Sequence, residues 1–195
     1  MIATSSVAIF GGSFDPIHNG HVHLISSILN SRKFDTLIVV PAGDPWQKKP
    51  HASKEDRLEM TRLAIKGMKV EVEDCEISRS GPSYAIDTAK LLIKRNPHAK
   101  YTWIIGSDAL LNIGTWHKID EVRTLIDFLV INRPGHVIDA SKVHPEVRWS
   151  SIEITALDIS ATEVRAALAS GRDVAHLIPI EVHRYITEKR LYGAA

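Results

Sequence analysis

Three histidines, His18, His21 and His23, crowd a stretch that also holds Gly11, Gly12 and an Asp15-Pro16 turn. Imidazoles at that density suit three kinds of chemistry: ligating a metal, donating hydrogen bonds to phosphate, or capping a helix without reacting. A metal site asks for a carboxylate or a third imidazole on the same face as His18 and His21. None is evident, because the nearest acid, Asp15, precedes the turn, and no protein metal site is expected. The glycines favour the phosphate reading, since Gly11 and Gly12 allow positive φ and close backbone approach to a ligand. A helix starting at Asn19 or Gly20 would add free N–H groups and a positive dipole end. His18 and His21, three residues apart, would then reach one small volume. His23 reads as a helix-surface or packing residue. A structural corner with capping histidines is the alternative at this point. Neither Gly-x-Gly-x-x-Gly nor Gly-x-x-x-x-Gly-Lys-Ser/Thr occurs here.

The elements around this stretch predict where it sits. Apolar, β-branched runs recur at residues 7–10, 36–40, 70–72, 101–105 and 128–131. Four of the five are almost purely apolar, as strands covered on both faces must be. Helical spacing of apolar residues falls between them, over 20–31, 53–66 and 83–95, and again at 160–169 and roughly 179–189. Ser53 followed by Glu55 and Asp56 makes a plausible N-cap with acids in the first turn. Strand alternating with helix predicts an α/β, doubly wound, mostly parallel sheet with C-terminal helices packed onto it, in one domain over 1–195. Ligands of such sheets bind beyond the carboxyl ends of strands, at the switch in strand order. Residues 11–21 follow the first strand, and Gly106-Ser107-Asp108 follow the fourth.

Composition narrows the function classes. The chain has 195 residues, 44% hydrophobic and 24% charged, as ordinary globular proteins have. Lys and Arg number 24 against 23 Asp and Glu, which argues against a broad nucleic-acid surface and leaves room for a local anion site. The single cysteine, Cys75, cannot form an internal disulfide and lies in an alternating stretch that reads as a strand. The N-terminal residues lack a signal-peptide pattern, and no apolar run approaches the ~20 residues of a membrane span. A cytoplasmic protein without nucleic-acid or membrane partners is expected.

A resemblance now enters on specific residues. Gly11-Gly12-Ser13-Phe14-Asp15-Pro16-Ile17-His18-Asn19-Gly20-His21 resembles the signature of the nucleotidyltransferase superfamily, which class I aminoacyl-tRNA synthetases share in looser form. Roughly 140 residues downstream, Ile159-Ser160-Ala161-Thr162-Glu163-Val164-Arg165 resembles that superfamily's second motif. Residues 80–88, 103–111 and 115–117, with Arg133-Pro134-Gly135 and Leu191-Tyr192-Gly193, are similar to stretches of bacterial nicotinate-nucleotide adenylyltransferases. The resemblance covers nearly the whole chain. It implies a Rossmann-like nucleotidyltransferase fold and transfer of AMP from ATP to nicotinic acid mononucleotide, with pyrophosphate released.

The same resemblance implies roles. His18, His21 and Arg165 would be catalytic. ATP would meet Gly11, Gly12, Ser13, Phe14, His18, His21, Gly106, Asp108, Arg133, Ile159, Ser160, Thr162 and Arg165. The mononucleotide would meet Asp15, Trp46, Lys48, Tyr84, Ala85, Trp116 and His117. Mg2+ would ride on the phosphates and water. Ser160 with Glu163 also forms a capping box, which is compatible with binding. One segment departs from the pattern: Trp46-Gln47 stands where many relatives have Pro-His, so the residue gripping the mononucleotide phosphate is in doubt. A nicotinamide-mononucleotide or phosphopantetheine adenylyltransferase, a non-catalytic nucleotide-binding protein, and assembly into a homo-oligomer stay open.

Overall fold

The structure, a computed structural model, describes residues 4–194 apart from Lys48, Arg133, Pro134 and His136. Two expected site residues, Lys48 and Arg133, therefore lie outside the described residues. Six strands form one sheet: β1 (Ser6–Gly12), β2 (Thr36–Pro41), β3 (Glu71–Val72), β4 (Lys100–Gly106), β5 (Asp127–Asn132) and β6 (Trp149–Glu153). Their order is β3-β2-β1-β4-β5-β6, and every pair is parallel. The helices are α1 (Asn19–Ser31), α2 (Lys54–Ala64), α3 (Cys75–Ser78), α4 (Ala85–Arg95), α5 (Ser107–Leu111), α6 (Ile119–Leu125), α7 (Ala161–Ala169) and α8 (Ile180–Glu188).

Alternation along the strands builds two cores, one on each face. Ala8, Leu37, Val39, Ile104 and Leu129 face α1, α2, α7 and α8 through Ile25, Ile28, Met60, Val164 and Val182. Their neighbours Ile9, Ile38, Val40, Trp103, Ile105 and Phe128 face α4, α5 and α6 through Ile86, Ala89, Leu110 and Val122. Burial of each such aliphatic side chain contributes about 1.5–3 kcal/mol, so the two faces together hold the sheet. The order reverses between β1 and β4, and the loops after those strands part there. The expected site residues that follow β1 therefore come after a strand at the switch in strand order, where sheets of this kind bind ligands.

One expectation is overturned, and one strand went unread. Cys75 opens α3 rather than lying in a strand, because only Glu71 and Val72 pair with β2. β6 escaped the reading of apolar runs: Ser150 and Ser151 are exposed, and the strand covers one edge of the sheet. The expectation of a mostly parallel, doubly wound sheet holds, every described strand pair being parallel. Among the described residues no helix is long and apolar enough to cross a membrane.

Candidate active site

The loop after β1 is shaped by what its glycines leave out. A Cβ on Gly11 would stand 2.9 Å from the Trp103 indole, and one on Gly12 would stand 2.8 Å from the Phe14 ring. Both glycines lie in β1 without positive φ; the left-handed residue is Phe14, at φ 48°. Close approach is therefore the glycines' contribution, and the turn itself falls to Phe14. The Phe14 ring meets His21 edge-on, with centroids 5.1 Å apart. The Asp15-Pro16 bond is cis.

His18 is the N-cap of α1 and His21 its third residue. The rings stack with centroids 3.7 Å apart and planes 29° apart. The His18 backbone N–H donates to His21 Nδ1 at 3.2 Å. Burial pushes the His18 imidazole down to about 4, and it pushes His21 well below its ordinary value, helped by the charge of His18. Both rings are thus neutral near pH 7. Because His21 Nδ1 accepts a hydrogen bond, the proton of neutral His21 sits on Nε2 and can be donated to a ligand. His18 Nδ1 is buried with no hydrogen-bond partner. The first amide of α1 is not free, contrary to expectation: Asn19 N–H donates to Leu177 O at 2.8 Å, and Asn19 Nδ2 donates to His176 O. His23 bonds Thr155 O at 2.9 Å on the outer side of α1.

The second motif faces the first across a cleft lined by Phe14, His18, His21, Ile159, Ser160, Thr162 and Arg165, among others. Ser160 caps α7, its Oγ accepting from Glu163 N at 3.1 Å. The capping leaves the amides of Ala161 and Thr162, at the first two helical positions, without intrahelical acceptors and bordering the cleft. Arg165 Nη1 donates to Asp15 O at 2.7 Å, and Nη2 donates to Thr162 Oγ1 at 3.3 Å. This side therefore presents neutral imidazoles, a helix N-terminus and a guanidinium, a donor set suited to polyphosphate.

Asp15, expected at the mononucleotide, has its carboxylate committed to the protein. It accepts from His51 N at 2.8 Å, Ala52 N at 3.0 Å and the Tyr192 hydroxyl at 2.7 Å. Burial pushes this carboxyl up, but bonds from the His51 amide, Tyr192 and the Ala52 amide outweigh it and leave it below its ordinary value. Asp15 ties the loop after β1 to the strap before α2 and to the C-terminal turn. Nothing in the residue pattern marked the strap, and only the Tyr192 match hinted at the turn.

A second cleft, lined by Gly11, Gly12, Ser13, Ala42, Trp46, Ser83, Ala85, Trp103 and Trp116 among others, opens on the other side of the same loop. Ser13 borders both clefts. Trp116 meets Trp103 and Phe128 edge-on at 6.2 and 6.0 Å, so one indole serves the core and the cleft wall together. Ser83 Oγ accepts from Gly43 N and Asp44 N, fastening the loop after β2 to the start of α4. Tyr84, the N-cap of α4, stacks on His117 with centroids 4.1 Å apart. Gly106 and Asp108 sit exposed at the carboxyl end of β4, outside the lining of both clefts. Sequence reasoning missed Arg57 and also Glu76, a buried carboxyl that lines the second cleft and accepts from the Thr88 hydroxyl at 2.6 Å. The signal for Arg57 was its place on the buried face of α2 with Met60 and Thr61.

This fold and the two motifs facing one cleft define a class. The chain belongs to the cytidylyltransferase-like family, whose model matches residues 9–167, and is a nucleotidyltransferase. More particular likenesses follow. The probable nicotinate-nucleotide adenylyltransferase of Streptomyces coelicolor is 40% identical, over 93% of this chain and 98% of that one. The protein of the same description from Bordetella avium is 38% identical, over 97% and 98%. The solved nicotinic acid mononucleotide adenylyltransferase of Plasmodium falciparum, complexed with NaAD, superposes with a TM-score of 0.83 at 24% identity over 98% of both chains. That structural likeness concerns the fold.

Proposed function

We propose that this chain transfers AMP from ATP to nicotinic acid mononucleotide, giving nicotinic acid adenine dinucleotide and pyrophosphate in NAD biosynthesis. The observation that carries the reading is the meeting of two clefts at Ser13, one built for polyphosphate and one walled by indoles and the start of a helix. A mononucleotide phosphate oxygen attacks the α-phosphorus of ATP. The new P–O bond forms as the bond from that phosphorus to the bridging oxygen breaks, and pyrophosphate leaves with the electron pair. The attacking phosphate is already ionised near neutral pH, so no side-chain nucleophile or strong base is needed. The work left to the protein is alignment and stabilisation of charge.

His18 and His21 donate to the ATP phosphates, Ser160, Thr162 and the α7 amides hold their far end, and Arg165 supplies a fixed positive charge. Gly11, Gly12, Ser13 and Phe14 shape the floor, and Ile159 the wall opposite. Gly106 and Asp108 would meet the adenosine at the rim. Trp46, Tyr84, Ala85, Trp116 and His117 receive the pyridine nucleotide, with the α4 N-terminus facing its carboxylate. Asp15 acts through the strap and Arg165 rather than on substrate. Mg2+ would enter with ATP and neutralise phosphate charge. Among the described residues no three His, Cys, Asp or Glu side chains are grouped to hold it, so its ligands would be phosphate and water, and no step is routed through it. The test is pyrophosphate release from ATP with nicotinic acid mononucleotide, nicotinamide mononucleotide and phosphopantetheine in turn. The acid should be the best acceptor. ATP binding without turnover on any of the three would leave a binding protein as the better account.

A further inference from the structure

Arg57 is 1% exposed and is the largest fully buried side chain among the described residues. Its guanidinium donates to three backbone carbonyls: Nη1 to Ser13 O at 2.6 Å and to Ala42 O at 2.5 Å, and Nη2 to Gly43 O at 2.8 Å. Nε is buried without a partner. Among the described residues no carboxylate stands within ion-pair distance of it, and the more distant attraction of Asp15 does not offset burial, which pushes the guanidinium below its ordinary value. A charge taken out of water without a close counter-charge costs several kcal/mol, and a neutral residue of similar volume would fill the same space without that cost. What the guanidinium does that an apolar residue cannot is join two loops. Ser13 belongs to the loop after β1 and borders both clefts; Ala42 and Gly43 begin the loop after β2, which carries Trp46.

We propose that Arg57 is a positioning residue that holds the ATP cleft and the mononucleotide cleft in register for in-line attack; this rests on the adenylyl-transfer reading above. Each cleft has its own walls and should bind its ligand without the clamp. The distance and angle between the two phosphates depend on where Ser13 lies relative to Ala42 and Gly43. The planar fork matters as well as the charge: one Lys Nζ cannot reach three carbonyls that the two terminal nitrogens of Arg share between them. Gly43 shows how tightly the second loop is set, because a Cβ there would lie 2.0 Å from Glu76 O.

The test compares wild type, Arg57→Lys and Gly43→Ala, with folding checked by circular dichroism. Titration calorimetry measures binding of a non-hydrolysable ATP analogue and of nicotinic acid mononucleotide separately, and steady-state kinetics measures kcat. Misalignment of about 1 Å predicts a fall in kcat of about tenfold to a hundredfold, with each binding constant within about threefold of wild type. Gly43→Ala displaces one of the carbonyls that Arg57 holds while keeping the guanidinium, and should show the same kcat-only loss. Wild-type kcat in either folded variant overturns the clamp, and so does loss of binding in proportion to loss of rate. Absence of turnover by the wild-type chain with every acceptor would instead overturn the adenylyl-transfer reading.

Discussion

Replacing Tyr192 by Phe removes one oxygen and keeps the ring. That oxygen donates to Asp15 Oδ1 at 2.7 Å, and Asp15 is 6% exposed, so water replaces the lost donor poorly. Burial and the bond to Asp15 push the Tyr192 hydroxyl up, so it stays protonated and donating across the working range. A hydrogen bond to an ionised group contributes about 1.5–3 kcal/mol, and the lower end applies here because the His51 and Ala52 amides remain. For a chain of this length about 1.5 kcal/mol lowers Tm by about 3–6 °C. Asp15 folds with its carboxyl below 3.8, so its bonds stabilise the fold above that pH and are lost as the pH falls through the lower folded value. The gap in Tm between wild type and Tyr192→Phe should therefore be full at pH 7 and close in acid. Asp15 O also accepts from Arg165, so the variant should raise KM for ATP and leave KM for the mononucleotide unchanged. Calorimetric melts at pH 7 and at about pH 2, below both values of the Asp15 carboxyl, with steady-state kinetics on each substrate, read all three effects. A Tm within about 1 °C of wild type at pH 7, or an unchanged KM for ATP, would refute the latch.

His18→Ala should lower kcat/KM by an amount equivalent to about 2–4 kcal/mol of transition-state stabilisation while the circular dichroism spectrum stays native; normal turnover would remove His18 from the mechanism. The buried His18 ring folds neutral, with its titration pushed from 6.5 to about 4. Its unfolded form takes up the proton first, so stability contributed above pH 6.5 is lost as the pH falls toward 4, by about 3 kcal/mol at about 1.4 kcal/mol per pH unit. Urea unfolding of wild type and His18→Gln at pH 7 and pH 4.5 should show the steeper loss in wild type. Trp116→Leu should raise KM for the mononucleotide severalfold and lower Tm, since the indole is both cleft wall and core; KM for ATP should not move.

Periodicity made the sheet legible because strands buried on both faces are written as apolar runs. It failed at β6, where one edge is exposed and serines interrupt the pattern, and at the five-residue α5, too short to show a helical repeat. His18, His21, Ser160, Thr162 and Arg165 were legible because glycines, caps and two distinct motifs of a resembled family mark them, and the structure brings them to one cleft. Arg57 went unread, and Asp15 was expected at the mononucleotide, for one physical reason. Sequence shows a charge but not what it faces, so a buried Arg that holds carbonyls looks like a solvated one, and a carboxylate that accepts three protein donors looks free for substrate. The α1 amide illustrates the converse: Asn19 reads as an open helix start until the segment around Leu177 folds over it.

The central claim concerns which bond of ATP breaks and where its pieces go. Incubation of the chain with nicotinic acid mononucleotide and ATP labelled at either the α- or the γ-phosphorus decides it directly. The account predicts α-label in the dinucleotide and γ-label in pyrophosphate, in equal molar amounts. Release of γ-label as inorganic phosphate, or no α-label joined to the mononucleotide, would contradict it.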